Sequence, residues 1–219
     1  VWAEPLTGFQ LGAKWTTEHK VKSLVGPSVQ VDEQGQVSLA WMEEDKDVRS
    51  VLYARSTEPG GPMGAPVRIN RPEDVPYWRQ EAPALVVQGE DVFVTWGLAH
   101  PKATPQQPFA TELRLSRSTD GGKTFQPSVA VNDDPGVIQH TFDALHRDAD
   151  GRLHLSWIDG REGKKEPGTY VARSLDRGAT ITKNLKVDEG TCVCCRTAVT
   201  SGPEGMVYVA WRKIFEGNV

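Results

Sequence analysis

The chain has 219 residues, and its 25 basic and 29 acidic side chains give a formal net charge of −4. Lysine and arginine are scattered among the acids rather than gathered into a stripe, so a nucleic-acid partner is not expected. No apolar run approaches the roughly 18 residues that a membrane helix requires, so no membrane span is expected either. Seven Trp, 21 Gly and 15 Pro among short Val/Leu stretches instead favour a β-rich body.

Residues 1–26 form an N-terminal segment that matches no later part of the chain. From residue 27 onward the sequence repeats itself, and an internal repeat fixes the architecture before any single strand is assigned. Each repeat contains an alternating apolar strand that ends in Trp, at residues 37–41, 92–96, 153–157 and 207–211. The four Trp residues are 55, 61 and 54 positions apart, so the repeats have similar lengths.

Each repeat is predicted to contain four strands. A Gly-containing turn precedes every Trp strand, which is the chemistry of a hairpin. First strands are predicted at residues 28–31 and 84–87, third strands at 51–55, 113–117 and 170–173, and fourth strands at 67–70, 129–132 and 185–188. Four antiparallel strands per repeat describe the blade of a β-propeller. The predicted fold is therefore an all-β partial propeller over residues 27–219, with blades at about 27–70, 82–132 and 143–188 and an incomplete one at 197–219.

Two turns between third and fourth strands carry a further pattern. The first is Ser118-Thr-Asp120-Gly-Gly122-Lys-Thr124-Phe125, and the second is Ser174-Leu-Asp176-Arg-Gly178-Ala-Thr180-Ile181. Both resemble the Asp-box, Ser-x-Asp-x-Gly-x-Thr-aromatic, of the sialidase-like and BNR-repeat propellers. In such a turn the Ser hydroxyl and the Asp carboxylate bond the backbone, and Gly adopts a conformation that other residues resist. These residues are therefore expected to be structural.

The resemblance implies a ring of blades. Sialidase-like propellers close with about six blades, so this sequence supplies little more than half of one. We expect a missing segment or a second chain to complete the ring. Residues 13–18 could supply an outer strand to the last blade of the closed propeller.

Functional residues are expected at one rim, where the first strands begin and the Trp strands end. Alignment on the Trp residues puts Glu81, Phe142 and Arg196 at equivalent positions just before first strands. Further polar candidates at this rim are Arg79, His140, Asp143, His100, Asp159, Arg161 and Arg212. The expected ligand is a small molecule, a glycan or a metal ion. Asp159-Gly-Arg161 could bind a ligand or form only an exposed turn, and the turn is favoured. His146 and His154 fall on strands, which favours structural roles.

All three cysteines of the chain lie within four residues, at Cys192, Cys194 and Cys195. Soft thiolates suit copper, as Cu(I), or zinc; His140 could complete the site from the neighbouring blade, and Arg196 would lower the thiol pKa values. The alternative is a disulfide or a redox-active pair, which an odd number of cysteines also allows. Because Cys194 and Cys195 cannot both point to one side of a strand, a loop or bulge is predicted here.

The resemblance also implies the catalytic set of a sialidase: an arginine triad for the substrate carboxylate, a Tyr–Glu nucleophile pair and an Asp acid/base. Arg79, Arg196 and Arg212 could form the triad, since arginine binds carboxylates bidentately. Glu81 with Asp143 is the carboxyl pair that we nominate for glycosidase chemistry. No Tyr–Glu pair is identified in the sequence.

The leading interpretation is an exported protein, secreted or periplasmic, that is non-enzymatic or atypical among the sialidase-like propellers and binds copper or zinc at its cysteine-rich rim. The first alternative is an exo-glycosidase of the sialidase type. The second is a protein-binding propeller with a structural disulfide at the cysteines, which the Pro-rich residues 99–108 favour.

Overall fold

The computed structural model describes residues 23–77, 81–163 and 167–215. Within these ranges the protein consists of three four-stranded antiparallel sheets and one two-stranded sheet, which follow one another along the chain. The described residues contain one short 3₁₀ turn, Pro203–Gly205, and no helix long and apolar enough to cross a membrane. The predicted all-β fold class is confirmed.

Each four-stranded sheet is a meander in sequence order. The first sheet contains β1 (Ser23–Val31), β2 (Val37–Asp45), β3 (Val48–Arg55) and β4 (Val67–Arg68). The second contains β5 (Ala84–Gln88), β6 (Asp91–Ala99), β7 (Thr111–Ser118) and β8 (Val129–Ala130). The third contains β9 (His140–Arg147), β10 (Leu153–Asp159), β11 (Gly168–Ser174) and β12 (Leu185–Asp188), and the fourth contains β13 (Ala198–Ser201) and β14 (Val207–Ala210).

The N-terminal boundary differs from the expectation. Strand β1 begins at Ser23, so the first sheet extends into the predicted segment 1–26. The outer strand predicted at residues 13–18 lies outside the described residues.

The sheets lie side by side through their first strands. Strand β1 contacts β5, β5 contacts β9, and β9 contacts β13. An apolar cluster that includes Tyr53 and Trp96 joins the first sheet to the second, and another that includes Phe93 and Trp157 joins the second to the third. A shared inner edge with face-to-face packing of neighbouring sheets is the arrangement of propeller blades.

The Trp residues that mark the repeat are packing residues. Trp96 and Trp157 are almost fully buried. Their indole N–H groups donate to Ser116 Oγ at 3.0 Å and to Asp159 Oδ2 at 2.9 Å, respectively. Because each indole keeps a hydrogen bond inside the protein, its large apolar surface is buried without an unsatisfied donor.

The turn after β7 is closed by side-chain hydrogen bonds. Ser118 Oγ donates to Asp120 at 2.6 Å and accepts the Gly122 N–H at 2.9 Å, and the Thr124 hydroxyl donates to Asp120 at 2.6 Å. The bonds from Ser118 and Thr124 hold the pKa of Asp120 at about 2. Gly122 has φ +84°, and a Cβ atom there would lie 2.0 Å from the Tyr53 ring, so this position requires glycine. The turn after β11 has the same bonds.

Candidate functional site

Two groups of predicted site residues lie at the rim where the first strands begin and the second strands end. Glu81 and Asp143, the carboxyl pair, lie just before β5 and on β9. Cys192, Cys194 and Cys195, the thiol cluster, lie between β12 and β13. Since first strands are the inner strands, the carboxyl pair lies at the shared inner edge of the sheets.

The carboxyl pair is buried, with 6% of Glu81 and 2% of Asp143 exposed. Glu81 Oε2 accepts the Phe142 N–H at 3.1 Å, and Asp143 Oδ2 accepts the hydroxyl of Thr95. Burial and the charge of Asp143 raise the pKa of Glu81 to about 8, and burial raises the pKa of Asp143 as well. Glu81 is therefore mostly protonated at neutral pH and carries a proton that it could donate.

Arg196 connects the carboxyl pair to the entry of the fourth sheet. Its Nη1 donates to the Asp143 carbonyl at 2.8 Å, and its Nη2 donates to the Ala82 carbonyl at 2.7 Å. Its charge lowers the pKa of both Glu81 and Asp143, but burial has the larger effect. The guanidinium is thus fixed by one backbone oxygen just before β5 and one on β9.

Of the other two arginines of the predicted triad, the structure describes only Arg212, and it does not place Arg212 beside Arg196. Arg79 lies outside the described residues. Arg212 follows β14 and contacts the thiol cluster, with its Nη1 3.7 Å from Cys195 Sγ. Of the three arginines, Arg196 is therefore the one that the described residues show at the carboxyl pair.

The thiol cluster occupies a turn that is hydrogen-bonded to the segment directly after β14. The Cys192 N–H donates to the Arg212 carbonyl at 2.8 Å, and Thr191 pairs with Lys213 in an isolated β-bridge. The Cys195 N–H lies 3.4 Å from the Cys192 carbonyl and closes the turn. The loop predicted from the vicinal cysteines is present, and it lets both of their sulfur atoms approach Cys192.

The three sulfur atoms converge without forming a disulfide. Cys192 Sγ lies 3.3 Å from Cys194 Sγ and 3.3 Å from Cys195 Sγ. Hydrogen bonds from Cys194 and Cys195, with help from the Arg212 charge, lower the pKa of Cys192, whereas the neighbouring thiols raise the pKa of Cys194 to about 11. Cys192 therefore ionises before Cys194. Because Cys194 is exposed, an ion can reach the cluster from solvent.

His140 is not part of the thiol cluster, which corrects the predicted fourth ligand. The ring is fully buried, with Nδ1 2.6 Å from the Thr111 carbonyl and Nε2 2.7 Å from Asp134 Oδ2. Burial opposes protonation, but the bond to Asp134 and the charge of Asp159 outweigh it and raise the pKa of His140. A metal ligand needs a free nitrogen lone pair, and both nitrogens of His140 already face an oxygen partner within hydrogen-bond distance.

Asp159 and Arg161 form an ion pair at a turn, with the Asp159 side chain buried and the Arg161 side chain 20% exposed, so the segment is less exposed than predicted. Asp159 is fully buried, and its carboxylate accepts a hydrogen bond from the Trp157 indole N–H. The Arg161 guanidinium donates from Nε at 3.0 Å to Asp159 Oδ1 and from Nη2 at 2.8 Å to Asp159 Oδ2. The same Nη2 lies 3.2 Å from Asp134.

His140, Asp134, Asp159 and Arg161 are hereafter the His140 group. The first three have ligand atoms close enough to hold a metal ion. Arg161, however, already places a positive charge between Asp134 and Asp159. Asp134 was not among the residues predicted from the sequence. The one sequence feature that could have indicated it is the acidic pair Asp133-Asp134, in the loop between β8 and β9.

No protein-family profile and no curated protein matches the chain. Among solved structures, the protein is similar to an endo-arabinase from Bacteroides thetaiotaomicron, at 15% identity and TM-score 0.51, over 84% of this chain and 68% of that one. It is also similar to the Penicillium chrysogenum α-L-arabinanase, at 12% identity and TM-score 0.56, over 85% of this chain and 58% of that one. A third similar structure is Trypanosoma rangeli sialidase, at 16% identity and TM-score 0.56, over 88% of this chain and 34% of that one. These similarities confirm the predicted sialidase-like propeller fold.

Proposed function

We propose that this protein is a non-enzymatic or atypical propeller that binds a soft metal ion through Cys192, Cys194 and Cys195. The observation that carries the proposal is the convergence of three sulfur atoms in one turn, with Cys194 Sγ and Cys195 Sγ each 3.3 Å from Cys192 Sγ. Thiolates are the ligands that suit Cu(I) and zinc. The turn is fixed to the segment after β14 by backbone bonds, so the sulfur atoms are held near one another before an ion binds.

The donor set favours Cu(I) over zinc. Structural zinc sites take four protein ligands, and this cluster offers three sulfur atoms once His140 is excluded. Cu(I) is a soft ion that is stable with three thiolates. Such a complex carries excess negative charge, and the guanidinium of Arg212 next to Cys195 compensates part of it. Zinc would need a water molecule as its fourth ligand.

The test is a Cu(I) titration of anaerobically purified protein against a chromophoric Cu(I) chelator. We expect one Cu(I) per chain in the wild type and none in the Cys194→Ser variant. Val193→Ser is the matched control, because Val193 lies in the same turn, is exposed and supplies no ligand. A wild-type protein that leaves all Cu(I) with the chelator, or a Cys194→Ser variant that still binds one ion, would contradict the proposal.

The proposal includes export to the periplasm or out of the cell. Its test is fractionation of the native host followed by immunodetection. Recovery of the protein in the cytoplasmic fraction alone would remove this part of the proposal.

An exo-glycosidase centred on Glu81 and Asp143 is the second candidate function. It is favoured by the pKa of Glu81, about 8, because a glycosidase needs a carboxyl group that is protonated at neutral pH as its general acid. The fold is also shared with structures that are named as a sialidase and arabinanases. It ranks second because both carboxyl groups are buried and the Arg196 guanidinium is already bonded to two backbone carbonyls.

Hydrolysis of fluorogenic sialosides and arabinofuranosides tests this second function. Turnover by the wild type that is lost in Glu81→Gln, with copper binding unchanged, would establish the glycosidase and separate it from the thiol cluster. No turnover by the wild type would eliminate it for these substrates.

A further inference from the structure

His154, on β10, has one ring nitrogen paired and the other unpaired. The residue is 3% exposed. Its Nε2 lies 2.8 Å from Asp148 Oδ2, while its Nδ1 has no hydrogen-bond partner among the described residues. A buried polar atom without a partner loses its bonds to water and gains none in return, so its presence requires an explanation.

The contact with Asp148 sets the tautomer of His154. An ionised carboxylate only accepts, so Nε2 carries the proton and, in the neutral ring, Nδ1 holds a lone pair. Asp148 is itself fixed, because its Oδ1 accepts the Arg152 N–H at 2.8 Å. Metal-ligating histidines commonly have this arrangement, in which one nitrogen donates to a carboxylate and the other faces the ion.

A second histidine lies beside His154. His146 on β9 is its cross-strand neighbour, with ring centroids 6.3 Å apart. Cross-strand neighbours project from the same face of a sheet, and this face is directed toward the fourth sheet, where Ser201 Oγ on β13 lies 2.8 Å from His146 Nε2. Metal–imidazole bonds are about 2.1 Å long, so a modest rotation of the half-buried His146 ring would let one ion contact both rings.

An open groove gives an ion access to His154. The groove has a volume of 560 Å³ and lies between the third and fourth sheets, with Val171, Val199 and Val209 among its lining residues. Arg173 and Lys183 also line it. These two positive charges oppose an incoming cation, so we expect moderate rather than tight binding.

We propose that His154 and His146 bind a divalent ion of the Zn²⁺ class between the third and fourth sheets, at a site separate from the thiol cluster. Imidazole is a ligand that suits zinc and its neighbours in the first transition row. Asp148 is the positioning residue for His154, and the Ser201 hydroxyl or water completes the coordination. A bound ion would tie β9 and β10 to β13 and so fix the fourth sheet against the third.

The test uses the thiol-free variant Cys192→Ser/Cys194→Ser/Cys195→Ser, so that its outcome does not depend on the proposed copper site. Calorimetric titration with Zn²⁺ should show one ion per chain. His154→Gln in this background should weaken binding by at least about 100-fold, and Asp148→Asn by about 10-fold, as expected for loss of a ligand and of its orienting carboxylate. His100→Gln is the matched control, since His100 is 8% exposed and lies directly after β6, in another sheet.

A nuclear magnetic resonance measurement covers the case in which His154→Gln does not fold. With isotopically labelled histidine in the thiol-free protein, saturating Zn²⁺ should move the Nδ1 resonance of His154 and leave the resonances of His100 in place. The proposal is overturned if Zn²⁺ does not bind, if folded His154→Gln binds it as tightly as the background, or if the His154 resonance does not move.

Discussion

The thiol cluster and the His140 group both gather metal-ligating side chains at the same rim, but their side chains have different partners. In the His140 group each ring nitrogen of His140 has an oxygen partner, and the Asp159 carboxylate accepts from Arg161 and from Trp157. In the thiol cluster the sulfur atoms contact one another and Arg212. The first group is complete within the protein, whereas the second has donor atoms that remain available to an ion.

The difference shows that convergence of ligand types does not by itself identify a metal site. Arg161 neutralises Asp159 and Asp134 from within the chain, so an added cation would have to displace a guanidinium that holds both carboxylates. Among the described residues, the cation that contacts the thiol cluster is Arg212, whose Nη1 lies 3.7 Å from Cys195 Sγ and bonds no second sulfur atom. The comparison therefore predicts that substitutions in the His140 group change the stability of the protein. Substitutions in the thiol cluster should instead change its affinity for copper.

The largest expected effect is on stability, from Arg161→Met. This change removes the guanidinium that bonds both oxygens of the buried Asp159 carboxylate, and loss of one partner of a buried ion pair typically costs about 3–5 kcal/mol. Urea unfolding measures the loss, and Arg71→Met, at an exposed position, should stay within about 0.5 kcal/mol of the wild type. Copper binding by folded Arg161→Met should match the wild type; a large loss of copper with no loss of stability would reverse the assignment of the two groups.

The next effect is on copper affinity, from Cys192→Ser. Cys192 contacts both other sulfur atoms, so its loss should weaken Cu(I) binding by more than the roughly 10- to 100-fold that follows the loss of an orienting partner. His140→Gln, provided that it folds, should bind Cu(I) as the wild type does. Competition titrations measure both variants, and weaker binding in His140→Gln would restore His140 as a ligand.

An effect that is smaller per pH unit is the pH dependence that Glu81 contributes to stability. Between about pH 4.5 and about pH 8 the folded protein keeps a proton on Glu81 that the unfolded chain has released. Because the folded state then binds more protons, this contribution to stability falls as pH rises, by up to about 1.4 kcal/mol per pH unit. Glu81→Gln should flatten the fall across this window in thermal unfolding measured against pH. An unchanged slope would mean that Glu81 is ionised in the folded protein.

The smallest effect concerns the reactivity of Cys192. The Arg212 charge helps to lower the pKa of this thiol, but Arg212 is exposed and its influence is screened by solvent. Arg212→Ala should slow alkylation by iodoacetamide at neutral pH by about twofold. Lys213→Ala provides the comparison, because Lys213 bonds to Asp188 instead of to sulfur. Faster alkylation of Arg212→Ala would show that the arginine shields the thiols rather than activating them.

The fold could be predicted because its signals recur in the sequence. Trp96 and Trp157 mark equivalent strands, and the turn residues Ser118 and Asp120 bond to groups within a few positions along the chain. The convergence of the cysteines could be predicted for the same reason, since all three belong to one turn. Local interactions of this kind are visible in spacing alone.

The partners of His140 could not be predicted, because they come from distant parts of the chain. Thr111 belongs to the preceding sheet, and Asp134 lies in the loop between sheets. The buried Asp159 carboxylate is paired with the indole N–H of Trp157. The short Asp-Gly-Arg segment gives no sign of this hydrogen bond. The partners of the His140 ring come from another sheet and a loop, and the internal repeat of the sequence gives no information about such pairs.

X-ray absorption at the copper edge of the Cu(I)-loaded protein is the most direct test of the central claim. The account predicts three sulfur ligands from Cys192, Cys194 and Cys195, with no scattering from imidazole. A nitrogen ligand with an imidazole pattern would show that a histidine joins the site. Binding through two sulfur atoms would contradict the three-thiolate cluster itself.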